Sequence, residues 1–303
     1  MNRLTPTLRQ SVLWCAVLII ELLSLATPVN FLTIMLIMVP MLILYLKLDL
    51  KSFILAYVSS LFVLFVILGG GWAFLLIMYS LFFVPPTVAM GQLYKKAASI
   101  RSVLVIAILV LIAEVLILLL MGHATGMDPI GHLKTILTDN LAILPKQYRD
   151  VVGKDYVEKV TWMLPFLLLV FAAFYVLLTH AITRRLLKKS PDSLTGLPPI
   201  RDWRLPKSMV WYFLAVLAIG LFITEQSDLY FQMIVYNLLP LFMVLFVVQA
   251  LSLLYAFVYY KKWNKFIPIL VIVLCILPPV LYVVCILGIM DILMPLRQRF
   301  FKI

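Results

Sequence analysis

Long apolar stretches separated by short clusters of basic residues run along almost the whole chain. A transmembrane helix needs about 20 residues at about 1.5 Å each, so the distance between basic clusters indicates how many crossings an interval holds. The interval between Arg9 and Lys47 is too long for one crossing, and Pro28 and Asn30 inside it favour a turn. This interval therefore predicts two helices.

The same argument predicts the other helices. Three glycines at 69–71 supply one turn, the polar residues 224–228 supply another, and Pro278 and Pro279 lie in the middle of the last run. The predicted spans are 11–26, 31–46, 52–68, 72–93, 102–121, 162–182, a pair between 207 and 261, and 266–293. The predicted fold class is all-α, a polytopic transmembrane helical bundle of about nine spans, with eight and ten as the alternatives.

The segment 122–160 is too polar to cross a bilayer and is predicted to be an extracytoplasmic amphipathic segment. Asp128 followed by Pro129 is typical of a helix start. Apolar residues then recur at helical spacing, at Ile130, Leu133, Ile136, Leu137 and Leu141, and again at Tyr148, Val152, Tyr156 and Val160. We expect this segment to lie on the bundle or in the interface as a structural lid or lateral support, with a gate over a central cavity as the alternative.

Composition defines the class of protein. Hydrophobic residues make up 65% of the 303 residues, charged residues make up 13%, and the mean hydropathy is +1.12. An ordinary soluble domain has about 45–50% and about 25% respectively. No stretch is polar enough for a separate water-soluble domain, so we predict one integral membrane domain over residues 1–303. Arg3 and Arg9 precede an apolar stretch, as in a signal peptide, but Glu21 interrupts it, which predicts a retained first span.

Charge predicts the orientation. The net charge is +12, and 17 of the 25 Lys and Arg residues fall in the N-terminus and four segments that the predicted spans place on one side: 47–51, 95–101, 184–207 and 261–265. By the positive-inside rule that side is cytoplasmic, including the N-terminus and the basic loop 184–207. Arg297, Arg299 and Lys302 disagree, because nine spans would leave them outside. Either the last run is re-entrant or kinked, or the rule is overridden there.

The basic loop also predicts a lipid interface. Arg201, Trp203, Arg204 and Lys207 interleave basic and aromatic side chains, a pattern typical of the headgroup region and not of a nucleic-acid site. We therefore expect anionic headgroups on the cytoplasmic side as a partner, and no nucleic acid.

Polar residues inside the predicted spans form a candidate intramembrane polar site. Glu21 and Glu114 each cost a few kcal/mol at the bilayer centre unless they face protein or water, so each is either a proton- or cation-linked group or a buried carboxyl that fixes helix packing. Asn237, Gln249 and Ser252 add polar side chains in the eighth span, where interhelical hydrogen bonds are the usual role.

Catalytic signatures are missing from the sequence. It contains no G-x-x-x-x-G-K-[ST], H-E-x-x-H or G-x-S-x-G motif, and Cys15, Cys275 and Cys285 form no cluster with histidines at ligand spacing. We therefore expect no enzyme, catalytic residue, metal or cofactor; an intramembrane active site built on two carboxyls is the alternative.

Four motifs in the C-terminal half carry a family resemblance. They are residues 197–206 (Leu-Pro-Pro-Ile-Arg-Asp-Trp-Arg-Leu-Pro), 248–252 (Val-Gln-Ala-Leu-Ser), 288–291 (Gly-Ile-Met-Asp) and Leu296 with Arg297. This pattern resembles the YybS family of bacterial membrane proteins, in which a glycine stands where this chain has Ala250. The resemblance implies a bacterial cell membrane. The family is remotely similar to substrate-binding components of vitamin transporters and to a rod-shape membrane protein.

Two functions are consistent with these features. The first is a multi-pass cell-membrane protein with a transporter-like bundle that binds or translocates a small-molecule ligand. The alternative is a non-transporting scaffold for membrane-protein partners of the cell envelope. An occluded cavity containing Glu21 or Glu114 would favour the first function, and a filled bundle with an exposed groove the second.

The predicted orientation is tested by cysteine labelling in a background that lacks Cys15, Cys275 and Cys285. Cysteines replacing Lys188 and Lys262 should be shielded in intact cells from a membrane-impermeant thiol reagent, because both positions lie on the predicted cytoplasmic side. A cysteine replacing Asp139 should be labelled. The reverse labelling pattern would contradict the topology.

Overall fold

A computed structural model describes residues 4–28, 30–147, 149, 155–190, 192–224, 227–294 and 296–301. All regular secondary structure in these residues is helical, which confirms the all-α prediction. The helices are α1 (Leu4–Ser24), α2 (Asn30–Thr33), α3 (Met38–Lys47), α4 (Leu50–Leu68), α5 (Gly70–Phe82), α6 (Val84–Lys95), α7 (Ile100–Ala124), α8 (Pro129–Ile143), α9 (Tyr156–Trp162), α10 (Leu164–Leu186), α11 (Ser208–Phe222), α12 (Leu229–Tyr260), α13 (Phe266–Leu274), α14 (Pro278–Leu293) and α15 (Leu296–Phe301), with a 3-10 turn at Ile200–Asp202.

Five helical stretches in the described part of the chain are long and apolar enough to cross a membrane. They are Leu50–Leu68, Gly70–Lys95, Ile100–Ala124, Leu164–Leu186 and Leu229–Tyr260. Three shorter apolar helices accompany them: Met38–Lys47, Ser208–Phe222 and Pro278–Leu293. The chain is therefore a multi-pass membrane protein by the length and composition of its helices, and the count of about nine spans stays a prediction.

Prolines determine where several apolar runs break. A proline cannot donate to the carbonyl four residues before it and clashes with that carbonyl, so a helix tends to end there. Pro278 and Pro279 follow the end of α13 at Leu274 and begin α14. Pro40 lies in the first turn of α3, four residues after Leu36, and residues 34–37 form turns. The predicted span 31–46 is therefore two short helices and not one.

The described residues divide into two compact units, Met1–Pro129 with Leu168–Gly196, and Ile130–Leu167 with Leu197–Ile303. The prediction of one integral domain is not tested by this division. The basic loop 184–207 contributes its first part to the first unit and its second part to the second.

The short helix α3 is the centre of the first unit. All its residues from Met38 to Tyr45 are buried, and it packs against α1, α4 and α6. A methyl group on Gly91 of α6 would overlap the ring of Tyr45, so these two helices touch closely. Leu187, at the end of α10, packs on Val39 and Ile43 and extends this core.

Three helices form the core of the second unit. Phe213 of α11 packs on Phe242 and Phe246 of α12, with ring centroids 6.1 and 5.1 Å apart. On α14, the Cys285 Sγ lies 3.5 Å from the Met243 carbonyl oxygen, and a methyl group on Gly288 would overlap the Phe246 carbonyl oxygen. Residues later in α14 therefore contact residues later in α12, so the two helices run parallel.

The last apolar run turns back and finishes at the same end of the second unit at which it begins. Its nine-residue helix α13 measures about 13.5 Å, less than half of a hydrocarbon core of about 30 Å. After α14, Phe300 lies 5.4 Å from Phe257, whose ring also stacks on Trp263 at 4.8 Å. Residues 266–293 therefore form a broken, returning element instead of one continuous span, and the C-terminal residues of α15 lie at the end where α12 finishes.

Two further predictions concern segments that connect the predicted spans. The helix α8 begins at Pro129, as predicted, and α9 leads into α10. Tyr148 and Val152 lie outside the described residues. The turn predicted at 224–228 is confirmed by the end of α11 at Phe222 and by Asp228, whose carboxylate accepts the Tyr230 N–H at 2.8 Å at the start of α12; residues 225 and 226 are outside the described part.

The close contact at Gly288 generates a stability prediction. Replacing Gly288 with Ala should lower the melting temperature in detergent, because the added methyl group meets a backbone carbonyl that cannot rotate away, and overpacking costs about 1–3 kcal/mol. Gly71→Ala is the matched control, since nothing lies within 4 Å of the added atom there. Equal melting temperatures for Gly288→Ala and the wild type would show that the α12–α14 contact is looser than described.

Candidate functional site

Four polar side chains meet at one end of the second unit, and we name Gln249, Ser252, Asp291 and Arg297 the C-terminal clamp. The Asp291 and Arg297 side chains are 1% and 7% exposed, and Arg297 Nη2 lies 2.7 Å from Asp291 Oδ2. Arg297 Nε donates to both carboxylate oxygens, at 3.2 and 3.1 Å. The side-chain amide of Gln249 donates to Asp291 Oδ2 as well. This carboxylate is thus paired and hydrogen-bonded.

The clamp also fixes the loop that precedes α11. The Gln249 Oε1 accepts the Leu205 N–H at 2.9 Å. The Ser252 hydroxyl lies 2.6 and 2.8 Å from the carbonyl oxygens of Ile200 and Trp203, and it accepts a hydrogen bond from Arg297 Nη2 at 3.0 Å. Arg297 Nη1 donates to the Arg201 carbonyl oxygen. Three separate stretches of chain are therefore joined by one buried ion pair and its hydrogen bonds.

A second polar cluster surrounds the break between α2 and α3 in the first unit; we name Ser24, Thr33, Tyr79 and Tyr175, with the Ile34 carbonyl, the helix-break cluster. The Ser24 hydroxyl lies 2.7 Å from Thr33 Oγ1. Both tyrosine hydroxyls donate to the Ile34 carbonyl oxygen, Tyr79 at 3.2 Å. A turn that interrupts the helix inside an apolar run is therefore contacted by hydroxyl groups from three other helices.

Glu21 lies beside this cluster. It is one helical turn before Ser24, whose hydroxyl donates to the Glu21 carbonyl oxygen at 2.6 Å. The Oε2 atom is buried and has no hydrogen-bond partner among the described residues. A half-buried carboxyl with unused acceptor capacity, next to an unwound helix, can bind a proton or a cationic group.

Glu114 has a different environment. It continues the face of α7 on which Ala107 and Leu111 are buried, and its Oε2 also has no partner in the described part of the chain. The described contacts place no hydroxyl or unwound backbone next to it. The structure thus does not bring Glu21 and Glu114 together through any described contact.

Asn237 repairs a break in another helix. A continuous helix would join the Phe166 N–H to the Trp162 carbonyl, but α9 ends at Trp162, and Pro165 interrupts the pattern. The Asn237 Oδ1 accepts from the Phe166 N–H at 2.9 Å, and its Nδ2 donates to the Trp162 and Met233 carbonyls at 2.8 and 2.7 Å. Its side chain therefore takes the place of the missing backbone bond.

The residues predicted to face lipid headgroups lie on and beside the clamp. The guanidinium of Arg201 lies 3.6 Å from the Tyr259 ring centroid and 3.6 Å from Asp202, and Trp203 Nε1 donates to the Pro198 carbonyl at 2.9 Å. Arg204 and Lys207 are exposed. Their contact with lipid stays a prediction.

Several residues of these clusters do not stand out in the sequence. Asp291 appears there only within a family-like motif, since it lies near the end of an apolar run. Arg297 appears in a family-like motif and as a flanking base that conflicts with the nine-span topology, but not as a partner of Asp291. A carboxylate and an arginine six residues apart across a helix end are the signal that could have identified the pair. Tyr79 and Tyr175 carry no signal, since tyrosine is common in membrane spans.

Comparison with known proteins identifies the class. Residues 15–292 match the family described as predicted membrane protein (DUF2232), and the chain belongs to this family. The chain is also similar to the uncharacterized protein YybS of Bacillus subtilis (strain 168), with 20% identity over 224 residues that cover 70% of this chain and 72% of that protein. No solved structure matches it. The four family-like motifs all contribute to the C-terminal clamp or to the helix contact at Gly288.

The buried ion pair generates a double-mutant prediction. Arg297→Met should lower the free energy of unfolding by about 3–5 kcal/mol, because it leaves the Asp291 carboxylate buried and unpaired. Asp291→Leu combined with Arg297→Met should recover most of that loss, because no unpaired charge remains. Thermal unfolding in detergent measures both. Additive losses in the double variant would show that the two side chains do not interact.

Proposed function

We propose that this membrane protein binds a small solute within the bilayer at the helix-break cluster of the first unit, as part of a transport cycle. The observation that carries the proposal is the break between α2 and α3, where a backbone turn and two tyrosine hydroxyls meet and Glu21 lies one helical turn from Ser24. Broken helices in membrane transporters place backbone and polar groups at the substrate site.

Charge and hydrogen-bonding capacity suggest the kind of solute. Glu21 has an acceptor oxygen without a described partner, and the Ser24 hydroxyl lies one helical turn away and contacts the Thr33 hydroxyl. Such a set of oxygens favours a cation, a proton or a solute with amino groups. The described part of the cluster contains no Lys, Arg or His to attract an anion.

The second unit supports the proposal through a similar feature. Its last apolar run is also interrupted, between α13 and α14. In secondary transporters, an interrupted apolar segment in each of two halves is a pointer to the binding site. Here the interruption in the first unit has polar side chains around it, which makes it the better candidate.

The scaffold function is supported by a different observation. A groove of about 570 Å³ lies between α1 and α4, and its lining is mostly apolar or small: Leu8, Ser11, Val12, Cys15, Ile19, Leu48, Ser52, Leu55, Ala56, Ser59, Ser60 and Val63. Small residues allow close approach of helices in membranes, so this surface suits a transmembrane partner. Neither described cavity includes Glu21 or Glu114. The groove therefore makes the scaffold the second candidate.

A retention experiment tests the proposed binding. Protein purified from its native membranes in mild detergent is denatured, and the released small molecules are identified by mass spectrometry. We expect a solute that the wild type retains and Glu21→Gln loses by at least about tenfold, because the neutral amide cannot pair with a cationic group, a loss of about 1.4 kcal/mol or more. Glu114→Gln is the matched control and should retain the solute.

The melting temperature separates binding from folding. Glu21→Gln keeps the size of the side chain, so it should unfold within a few degrees of the wild type in detergent. Equal retention by all three proteins, or no solute retained by the wild type above a preparation from cells without the protein, would contradict binding at this cluster. The scaffold function would then be the better explanation of the α1–α4 groove.

A further inference from the structure

A cavity of about 450 Å³ opens beside the C-terminal clamp. It lies where the loop before α11, the middle of α12 and the end of α14 meet. Its lining comprises Arg204, Leu205, Pro206, Lys207, Gln249, Asp291, Ile292, Leu293, Met294, Leu296 and Arg297. All these residues belong to the second unit, so the cavity is a feature of that unit alone.

The lining carries an excess of positive charge. Three basic side chains, Arg204, Lys207 and Arg297, line the cavity together with one carboxylate, Asp291. That carboxylate is already paired with Arg297 and hydrogen-bonded to Gln249. Arg204 and Lys207 have no acidic partner among the described residues. Two cationic groups therefore remain available to an anion.

The rest of the lining is apolar. Leu205 and Pro206 form one part of it, and residues 292–294 with Leu296 form another. A small hydrophilic anion would make no apolar contact with these side chains. A ligand with an anionic group attached to an apolar body would contact both parts.

The position of the cavity along the helices also favours a ligand with an anionic group and an apolar body. The cavity lies at the ends of apolar helices, next to the start of α11 and the end of α14. The exposed side chains of Trp211 and Trp263 lie at the same end of the second unit, close to the starts of α11 and α13. Tryptophan is enriched at the level of the lipid headgroups.

We propose that this cavity is a specific site for the phosphate group of an anionic phospholipid. Arg204 and Lys207 bind the phosphate oxygens, the residues 292–294 and Leu296 contact the start of the acyl chains, and the clamp holds Arg297 at the wall. Guanidinium and ammonium groups bind phosphate through charge-assisted hydrogen bonds, and basic pockets between membrane helices recognise lipid headgroups. The site is independent of the proposed solute site in the first unit.

The clamp acts here as the positioning element. Arg297 is buried, and its guanidinium is oriented by Asp291, Ser252 and the Arg201 carbonyl before any ligand arrives. Its charge is balanced by Asp291, so it shapes the wall without supplying the net attraction. The exposed Arg204 and Lys207 supply that attraction, since neither side chain makes an ion pair with a described residue.

Lipid titration of the delipidated protein in detergent tests the proposal. Binding is followed by native mass spectrometry with phosphatidylglycerol, with zwitterionic phosphatidylcholine and with soluble glycerol 3-phosphate as the probes. We expect phosphatidylglycerol to bind at least about tenfold more tightly than the other two, because only it offers both a net negative charge and acyl chains. Phosphatidylcholine binding with equal affinity would contradict recognition of anionic charge. If soluble glycerol 3-phosphate bound as tightly as phosphatidylglycerol, the site would recognise a free phosphate group, which would contradict a lipid ligand.

Two pairs of substitutions locate the binding. Arg204→Gln with Lys207→Gln should weaken phosphatidylglycerol binding at least about tenfold. Lys261→Gln with Lys262→Gln removes the same charge at the same end of α12, outside the cavity, and should change the affinity by less than about twofold. Arg204→Lys with Lys207→Arg keeps the charge and should bind as the wild type does. Equal losses in both Gln pairs would show general surface attraction and overturn the specific site.

Discussion

Backbone groups inside a bilayer have no water to bond, so every interruption of a spanning helix must be satisfied by protein. The structure meets this constraint with polar side chains. Asn237 joins the Phe166 N–H to the Trp162 carbonyl, and Tyr79 and Tyr175 both donate to the Ile34 carbonyl. Proline dictates where these interruptions fall, since it removes the donor and displaces the preceding turn. Asn237, Tyr79 and Tyr175 are therefore placed where the breaks need them.

The same constraint explains the C-terminal region. The break before Pro278 turns the last apolar run back, so that α14 packs parallel to α12, with Gly288 against the Phe246 carbonyl. That return places Arg297 next to Gln249, Ser252 and the Arg201 carbonyl. Arg297, one of the basic residues that conflict with a nine-span topology, thus lies at the same end of the second unit as the loop 200–207.

Sequence reasoning predicted the helical class, the turns at Gly69 and near residue 228, and the start of α8, because apolar periodicity, glycine and proline act locally. It did not predict that α3 would be a buried ten-residue helix, since burial depends on which neighbours cover it. Gln249 and Ser252 were identified as polar residues within a span. Their partners were not, because Asp291 is 42 residues from Gln249 and is brought there only by the parallel packing of two helices.

The buried polar groups differ in how much of their hydrogen-bonding capacity is used within the protein, and this difference separates their roles. In the clamp, the Asp291 carboxylate and the Arg297 guanidinium are both bonded on several sides, and removing either one would leave a buried charge without a partner. Such a network stabilises one arrangement and has little capacity left for a ligand. Glu21 and the pair Arg204 and Lys207 are the opposite case, because each retains bonding capacity that no described residue uses. We therefore expect ligands to bind at these groups with unused bonding capacity, and not at the most extensively bonded residues of the protein.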